Sequence, residues 1–271
     1  MTARLGVRKT YKLYVGGAFV RSESGRYDRH GAHNVPRGSR KDVRDAVKAA
    51  RGAAGPWAAR TAYNRGQILY RAAEALESRG GELGVERSEL DASIDVLVHY
   101  AGWTDKLHAV LGGVNPVAAP FLSFSLPEPT GVVGIVSPEE PELLGLVTEL
   151  APALAAGNTV VAALSEQRPL AGLDLAEVLG VSDVPGGVVN LLSGRRVELA
   201  LALAGHRDLN ALVDASDDAE LATEIDKLAA ESVTRVRHAD PGWTYAEATA
   251  DPLSRIEAVT ELKTAWHPVG A

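Results

Sequence analysis

The chain has 271 residues, 46% of them hydrophobic and 23% charged, with a net charge of −7. That supports a core of ordinary size, and no apolar run approaches the ~18 residues of a membrane span. The absence of cysteine excludes disulfides, thiolate metal sites and a cysteine nucleophile within these residues, while an acidic balance without a basic stripe argues against nucleic acid.

The opening MTARLGVRKTYKLYVGG is basic but lacks the apolar centre of a signal peptide, so a cytoplasmic protein is expected. Residues 11–27 read as a hairpin, with Leu13, Val15, Phe19 and Val20 flanking the turn pair Gly16-Gly17. His30 and His33 follow in a Gly-rich loop with no third ligand in view, so no metal is expected. Ser39 is a candidate N-cap for a helix carrying Val43, Ala46, Val47 and Ala50 on one face. A second helix is expected from about Asn64, with Ile68, Leu69, Ala72, Ala73 and Leu76 inward and Gly80-Gly81 as its stop. A third is expected over 88–111.

From Phe121 the period changes to two. FLSFSLPEP puts Leu122, Phe124 and Leu126 on one side and Ser123 and Ser125 on the other, a half-exposed strand. Strands are then expected at Gly131–Val136, Thr159–Leu164, Val188–Leu192 and Ala211–Val213. Helices should separate them at Pro141–Ala156, Leu170–Leu179 and Val197–Ala204, with another at 219–232. Short apolar strands alternating with helices predict an α/β fold, a Rossmann-like parallel sheet covered by helices. The last 30 residues look irregular until TELKTAW, which alternates like an edge strand.

Several segments carry a family likeness. APALAAGNTVV (151–161), SEQRPL (165–170) and GGVVNLLSG (186–194) resemble the cofactor-binding domain of the aldehyde dehydrogenase superfamily. YVGGAFVRSESG, AYNRGQILYRAAEALE and EPTGVVGIVSP fit the same family, and the likeness runs over roughly residues 11–215. VTELKTAW is similar to the family's C-terminal assembly strand, while no counterpart of its catalytic domain stands between about residue 240 and that tail. The resemblance is greatest to the degenerate second domain of bidomain aldehyde dehydrogenases. It implies residues 1–240 as a cofactor-type domain with N-terminal helices and an assembly strand at 119–127, and 241–271 as an irregular segment plus an oligomerisation strand.

Family members capture the aldehyde on a cysteine thiolate and pass hydride to NAD(P). This chain has no cysteine. The family's Pro-Trp-Asn-Phe-Pro loop, whose asparagine donates to the oxyanion, corresponds to Pro138-Glu139-Glu140-Pro141, and ionised glutamate donates nothing. The general-base motif Glu-Leu-Gly-Gly-Lys should fall near 233–242, where VTRVRHADPG stands. Lys-Pro-Ser-Glu, which grips the adenosine ribose, corresponds to Ala163-Leu164-Ser165-Glu166, keeping only Glu166. The phosphate turn Gly-Ser-Thr-x-x-Gly corresponds to Ala215-Ser216, surrounded by Asp214, Asp217, Asp218 and Glu220, whose charge opposes a phosphate.

These departures predict a pseudoenzyme that binds neither NAD nor NADP, with Glu166 as a vestigial cofactor contact or simply a helix cap. Glu139 and Glu140, adjacent on a loop, should point apart and serve a solvated helix start rather than act as acid and base. Function then falls to assembly: Leu122, Phe124, Leu126, Leu262, Thr264 and Trp266 are the expected interface. Trp266 reads equally as an interface anchor or a local packing plug. The implied partner is a second copy or a full-length active aldehyde dehydrogenase, in a structural or regulatory role. The alternatives are a residual NAD(P)-dependent oxidoreductase or a nucleotide- or small-ligand-binding protein.

Overall fold

The computed structural model describes residues 7–239 and 244–269. Strands β1 (Leu13–Val15) and β2 (Ala18–Val20) form the expected hairpin through Gly16-Gly17, with Leu13 opposite Val20. The stretch expected to be an open loop is a second hairpin, β3 (Tyr27–His30) and β4 (His33–Pro36). Helix α1 (Arg40–Ala58) begins at a full capping box, the Ser39 hydroxyl accepting from Asp42 N and the Asp42 carboxylate from Ser39 N. Helix α2 (Ala62–Arg79) starts two residues before Asn64 because Thr61 Oγ1 accepts from Asn64 N at 3.2 Å.

The single helix expected over 88–111 is two, α3 (Arg87–Ala101) and α4 (Leu107–Leu111). The break follows Gly102, a weak helix former, where Thr104 Oγ1 turns back to the Ala101 carbonyl at 2.9 Å. Strands β5 (Gly113–Asn115) and β6 (Phe121–Pro129) come next. In β6 the side chains turned inward are Ser123 and Pro127, so the expected leucine face is the outer one.

The alternating region then follows: β7 (Val132–Val136), α5 (Leu144–Ala156), β8 (Thr159–Ala163), α6 (Leu170–Leu179), β9 (Val189–Leu192), α7 (Arg196–Ala204), β10 (Ala211–Asp214) and α8 (Ala219–Ala230). Successive residues of each strand feed opposite cores. Val133, Ile135, Val160, Ala162, Leu191 and Val213 face the side packed by α2, α3, α5 and α6. Val132, Val136, Val161, Ala163 and Leu212 face α1, α7 and α8. A parallel sheet buried on both faces is why these strands read as continuous apolar runs. Helix α5 is buried along its whole length and ends at Gly157, whose φ of 97° is the left-handed cap that glycine adopts without strain.

The segment from 241 to the tail strand, expected to be irregular, is ordered wherever it is described, and a further strand precedes it. The elements are β11 (Arg235–His238), α9 (Tyr245–Ala250), α10 (Pro252–Glu257) and β12 (Thr260–Pro268). The part of the expected motif region at 240–242 lies outside the described residues. Ala248, Ile256 and Val259 join the main core, Tyr100 Oη donates to Ala248 O at 3.2 Å, and Asn158 Nδ2 donates to Val259 O at 2.8 Å. The carboxylate of Glu149 on α5 accepts from both Arg237 of β11 and Arg255 of α10. These contacts cover the face of α5 and α3 opposite the sheet. Seven strands form the main sheet in the order β11-β10-β7-β8-β9-β1-β2, and a separate sheet runs β12-β6-β5. Among the described residues no helix is long and apolar enough to cross a membrane.

Candidate functional site

The strand order locates the site. From β7 the chain moves to β8 and β9 on one side, then returns to place β10 on the other flank of β7. A parallel sheet has its ligand crevice at such a reversal, outside the carboxyl ends of the strands. Here the ends are aligned: Val136 is opposite Asp214, and Ala215 N donates to Val136 O at 2.9 Å. The loops that begin at Ser137 and Ala215 therefore emerge side by side.

Arg196, the first residue of α7, reaches across this point. Its Nη1 donates to Ser216 O at 3.2 Å, and its Nη2 lies 2.6 Å from Glu139 Oε1. The side chain is 12% exposed. Glu139 is anchored from its other oxygen, which accepts from Ser165 Oγ at 2.5 Å and Gln167 N at 2.9 Å. The loop after β7 lies close against α5, where only glycine leaves room: a side chain at Gly145 would meet Pro138 Cγ at 2.3 Å. Glu140 points away, pairing with Arg168 at 2.9 Å on the surface. The two carboxylates thus diverge as expected, but Glu139 is clamped rather than solvated, and neither starts a helix. The N-terminus of α5 is capped instead by Glu89 of α3, which accepts from Leu143 N and Leu144 N.

Three buried polar atoms at the crevice lack hydrogen-bond partners: Ser137 Oγ, Ser216 Oγ and Arg196 Nε. Arg196 Nη2, although close to Glu139, also lacks hydrogen-bond geometry. Two of the four acids that sequence reading set against a phosphate are occupied. Asp214 accepts from Ser216 N at 3.0 Å and faces His238 Nδ1 at 3.1 Å. Asp218 is the N-cap of α8, accepting from Glu220 N and Leu221 N. Hydroxyls at the two adjoining strand ends and a guanidinium edge without hydrogen-bond partners suit an anionic group. Hollows of ≈ 550 Å³ between Ala49, Trp57 and Pro185 and of ≈ 580 Å³ beside Tyr70 and Val98 lie elsewhere.

Glu166 accepts from Arg195 Nη1 and from Arg196 N, both at 2.7 Å, which places it as the cap of α7. Burial pushes its carboxyl up, but the Arg196 amide and the Arg195 guanidinium outweigh this and hold it below the usual range. A lowered folded-state value contributes stability above the unfolded value of about 4.3 and loses it as pH falls through the folded value. Glu166→Gln should therefore be less stable than the parent at neutral pH, with the difference shrinking toward about pH 3. Urea unfolding at both values checks this, and an equal difference at both would overturn it.

Of the expected interface residues, Leu122, Leu126, Leu262 and Trp266 are exposed, Phe124 is half-buried, and Thr264 Oγ1 bonds Ser125 Oγ at 2.8 Å. Trp266 is 59% exposed and meets the Phe121 ring edge-on at 6.1 Å between centroids. His30 and His33 face each other across the β3–β4 hairpin, and His33 packs edge-on against Tyr11. Sequence reading missed Arg196 altogether. Its one signal was a basic pair, Arg195-Arg196, directly after an apolar strand.

A family model, described as the aldehyde dehydrogenase family, matches residues 24–239. The chain belongs to the aldehyde dehydrogenase family. It is 35% identical over 192 residues to mitochondrial aldehyde dehydrogenase of Rattus norvegicus, covering 65% of this chain and 36% of that protein. With aldehyde dehydrogenase family 2 member B4 of Arabidopsis thaliana it shares 35% identity over 224 residues, 74% of this chain and 41% of the relative. Among solved structures, the NAD+ complex of Bacillus cereus aldehyde dehydrogenase superposes with a TM-score of 0.79 at 27% identity. That match covers 85% of this chain and 50% of the other. The chain thus spans well under two thirds of the length of these relatives, and its sheet and helices are a portion of the aldehyde dehydrogenase fold.

Two expectations are overturned by these likenesses. The chain was expected to be no enzyme and to hold neither NAD nor NADP. Its relatives carry the name of an enzyme, and a solved neighbour is an NAD+ complex. The physical reason for the error is local. Two of the carboxylates counted as free charge facing a phosphate are spent on Ser216 N, His238 and the α8 cap, and a guanidinium, Arg196, reaches Ser216 from the start of α7.

Proposed function

We propose that this chain supplies the dinucleotide-binding and assembly part of NAD(P)-dependent aldehyde oxidation. The observation that carries the reading is the switch-point crevice with buried, unpaired Ser137 Oγ, Ser216 Oγ and Arg196 Nε. When bound, a nicotinamide dinucleotide accepts the hydride released in such an oxidation. The chain's own part is to hold the anionic end against the strand termini and to keep α7 in place through Glu166. A thiolate that adds to the aldehyde has to come from outside these 271 residues, since they contain no cysteine.

The source of that thiolate is a full-length aldehyde dehydrogenase subunit; self-association is the other form of assembly the surface supports. Sheet β12-β6-β5 leaves β12 as an edge, flanked by exposed Leu262 and Trp266 and, on β6, Leu122 and Leu126. An edge strand with exposed apolar side chains is a template for strand addition. In this reading residues 1–240 are the cofactor part, 241–271 complete the assembly strand, the setting is cytoplasmic, and the bound chain stabilises its partner.

Calorimetry with NAD+ and NADP+ tests the cofactor part, and native mass after co-expression with a full-length aldehyde dehydrogenase tests the assembly part. Saturable dinucleotide binding and a mixed oligomer are expected. No heat at millimolar cofactor would overturn the first, and a monomer in every preparation the second.

A further inference from the structure

We propose that Arg196 is the phosphate-gripping residue of this crevice, and that Glu139 holds it in the ligand-free state as an intramolecular stand-in for the phosphate. The inference rests on the dinucleotide reading and specifies how the site takes its anion.

A guanidinium grips two oxygens of a phosphate or carboxylate along one edge through paired N–H groups. In Arg196 the Nη1 corner is spent on Ser216 O, while Nε and Nη2 form the remaining edge. Nε meets no acceptor, and Nη2 is approached only by Glu139 Oε1, without hydrogen-bond geometry. The ion pair therefore neutralises the charge but leaves the fork unfilled. Arg196 is oriented independently of Glu139: its own amide is capped by Glu166, and Nη1 is tied to the loop after β10. A phosphate entering between the ends of β7 and β10 would meet the fork together with the two unpaired hydroxyls, Ser137 Oγ and Ser216 Oγ.

Glu139 has somewhere to stay. Its second oxygen accepts from Ser165 Oγ and Gln167 N, so it can give up Arg196 without becoming an unpaired buried charge. Its side chain is 23% exposed, enough for water to replace the guanidinium. The exchange breaks one ion pair, forms a charge-assisted pair with phosphate, and transfers no proton. It also assigns a role to one glutamate of the loop after β7: it competes with the ligand for Arg196.

The test uses the full chain. NAD+, NADP+ and inorganic pyrophosphate are titrated by calorimetry into the parent, Glu139→Gln, Arg196→Gln and Arg196→Lys, with thermal melting as the measure of folding. Glu139→Gln should bind a dinucleotide roughly tenfold tighter, because the competitor loses its charge while the fork remains. Arg196→Gln should bind at least roughly tenfold weaker. Arg196→Lys keeps the charge without the paired donors. A several-fold loss in that variant, with melting unchanged, separates phosphate grip from folding. Binding that is the same in all four proteins overturns the inference and leaves the dinucleotide reading standing, as does a loss in the Arg196 variants with no gain in Glu139→Gln for the competition. Absence of dinucleotide binding in the parent and in Glu139→Gln alike overturns the reading itself.

Discussion

Glu149→Gln is expected to lower the stability of the chain by about 3–5 kcal/mol, the cost of leaving buried charge uncompensated. Glu149 sits in the middle of α5 with its side chain 1% exposed. One carboxylate oxygen takes Arg237 of β11 and the other takes Arg255 of α10, whose side chains are 22% and 11% exposed. Removing the negative charge leaves two guanidiniums against an apolar helix with no counter-ion among the described residues. Both belong to the C-terminal cover, so the loss should appear as loosening of α10 and β11 before global unfolding. Denaturant unfolding with hydrogen exchange reads both effects, and a change under about 1 kcal/mol would show that the triad is not buried in solution. Replacing all three together, Glu149→Leu with Arg237→Met and Arg255→Met, should recover most of the loss, because a desolvated ion pair contributes little beyond what apolar packing supplies.

Arg65→Met should cost about 2–4 kcal/mol for a different reason: it strips one buried donor from three backbone carbonyls at once. Arg65 lies near the start of α2, is buried, and donates to Arg60 O at 2.7 Å and to Ala58 O and Ala155 O at 3.4 Å. Ala58 ends α1 and Ala155 lies in the last turn of α5, and neither helix has a basic residue of its own in that turn. One guanidinium thus serves the negative ends of two helices. Burial lowers the Arg65 pKa from its usual value, yet arginine keeps its charge across the accessible range. Lysine carries the charge but not the spread of donors, so Arg65→Lys should recover less than half of the stability. Thermal and urea unfolding of both variants decide it; a methionine variant as stable as the parent would mean that water replaces the lost bonds.

Much of the architecture can be read locally. Ser39 three residues before Asp42, the left-handed Gly157, and apolar runs of four or five residues between amphipathic helices each depend on neighbours in sequence. Such signals survive in a single chain because capping and periodicity are short-range. The misreadings occurred where the deciding partner is distant. α5 starts at Leu144 because Glu89 of α3 caps it. β11 and α10 are held in place because α5 offers Glu149, 88 residues from Arg237 and 106 from Arg255.

The site divides in the same way. Residue order alone identified the first strand of the sheet, the loops that follow each strand, and the departures at Glu139, Ala163 and Ala215. Counting charges along the chain missed which groups those charges face. Folding inserts β10 beside β7, turns Asp214 and Asp218 onto backbone amides, and carries Arg196 across from the neighbouring loop. A charge acts on what it faces, over a distance set by burial and pairing. Periodicity along the chain determines which segments become strands and helices, whereas the charge a ligand meets depends on which strand ends are brought together and which polar groups are left unpaired there.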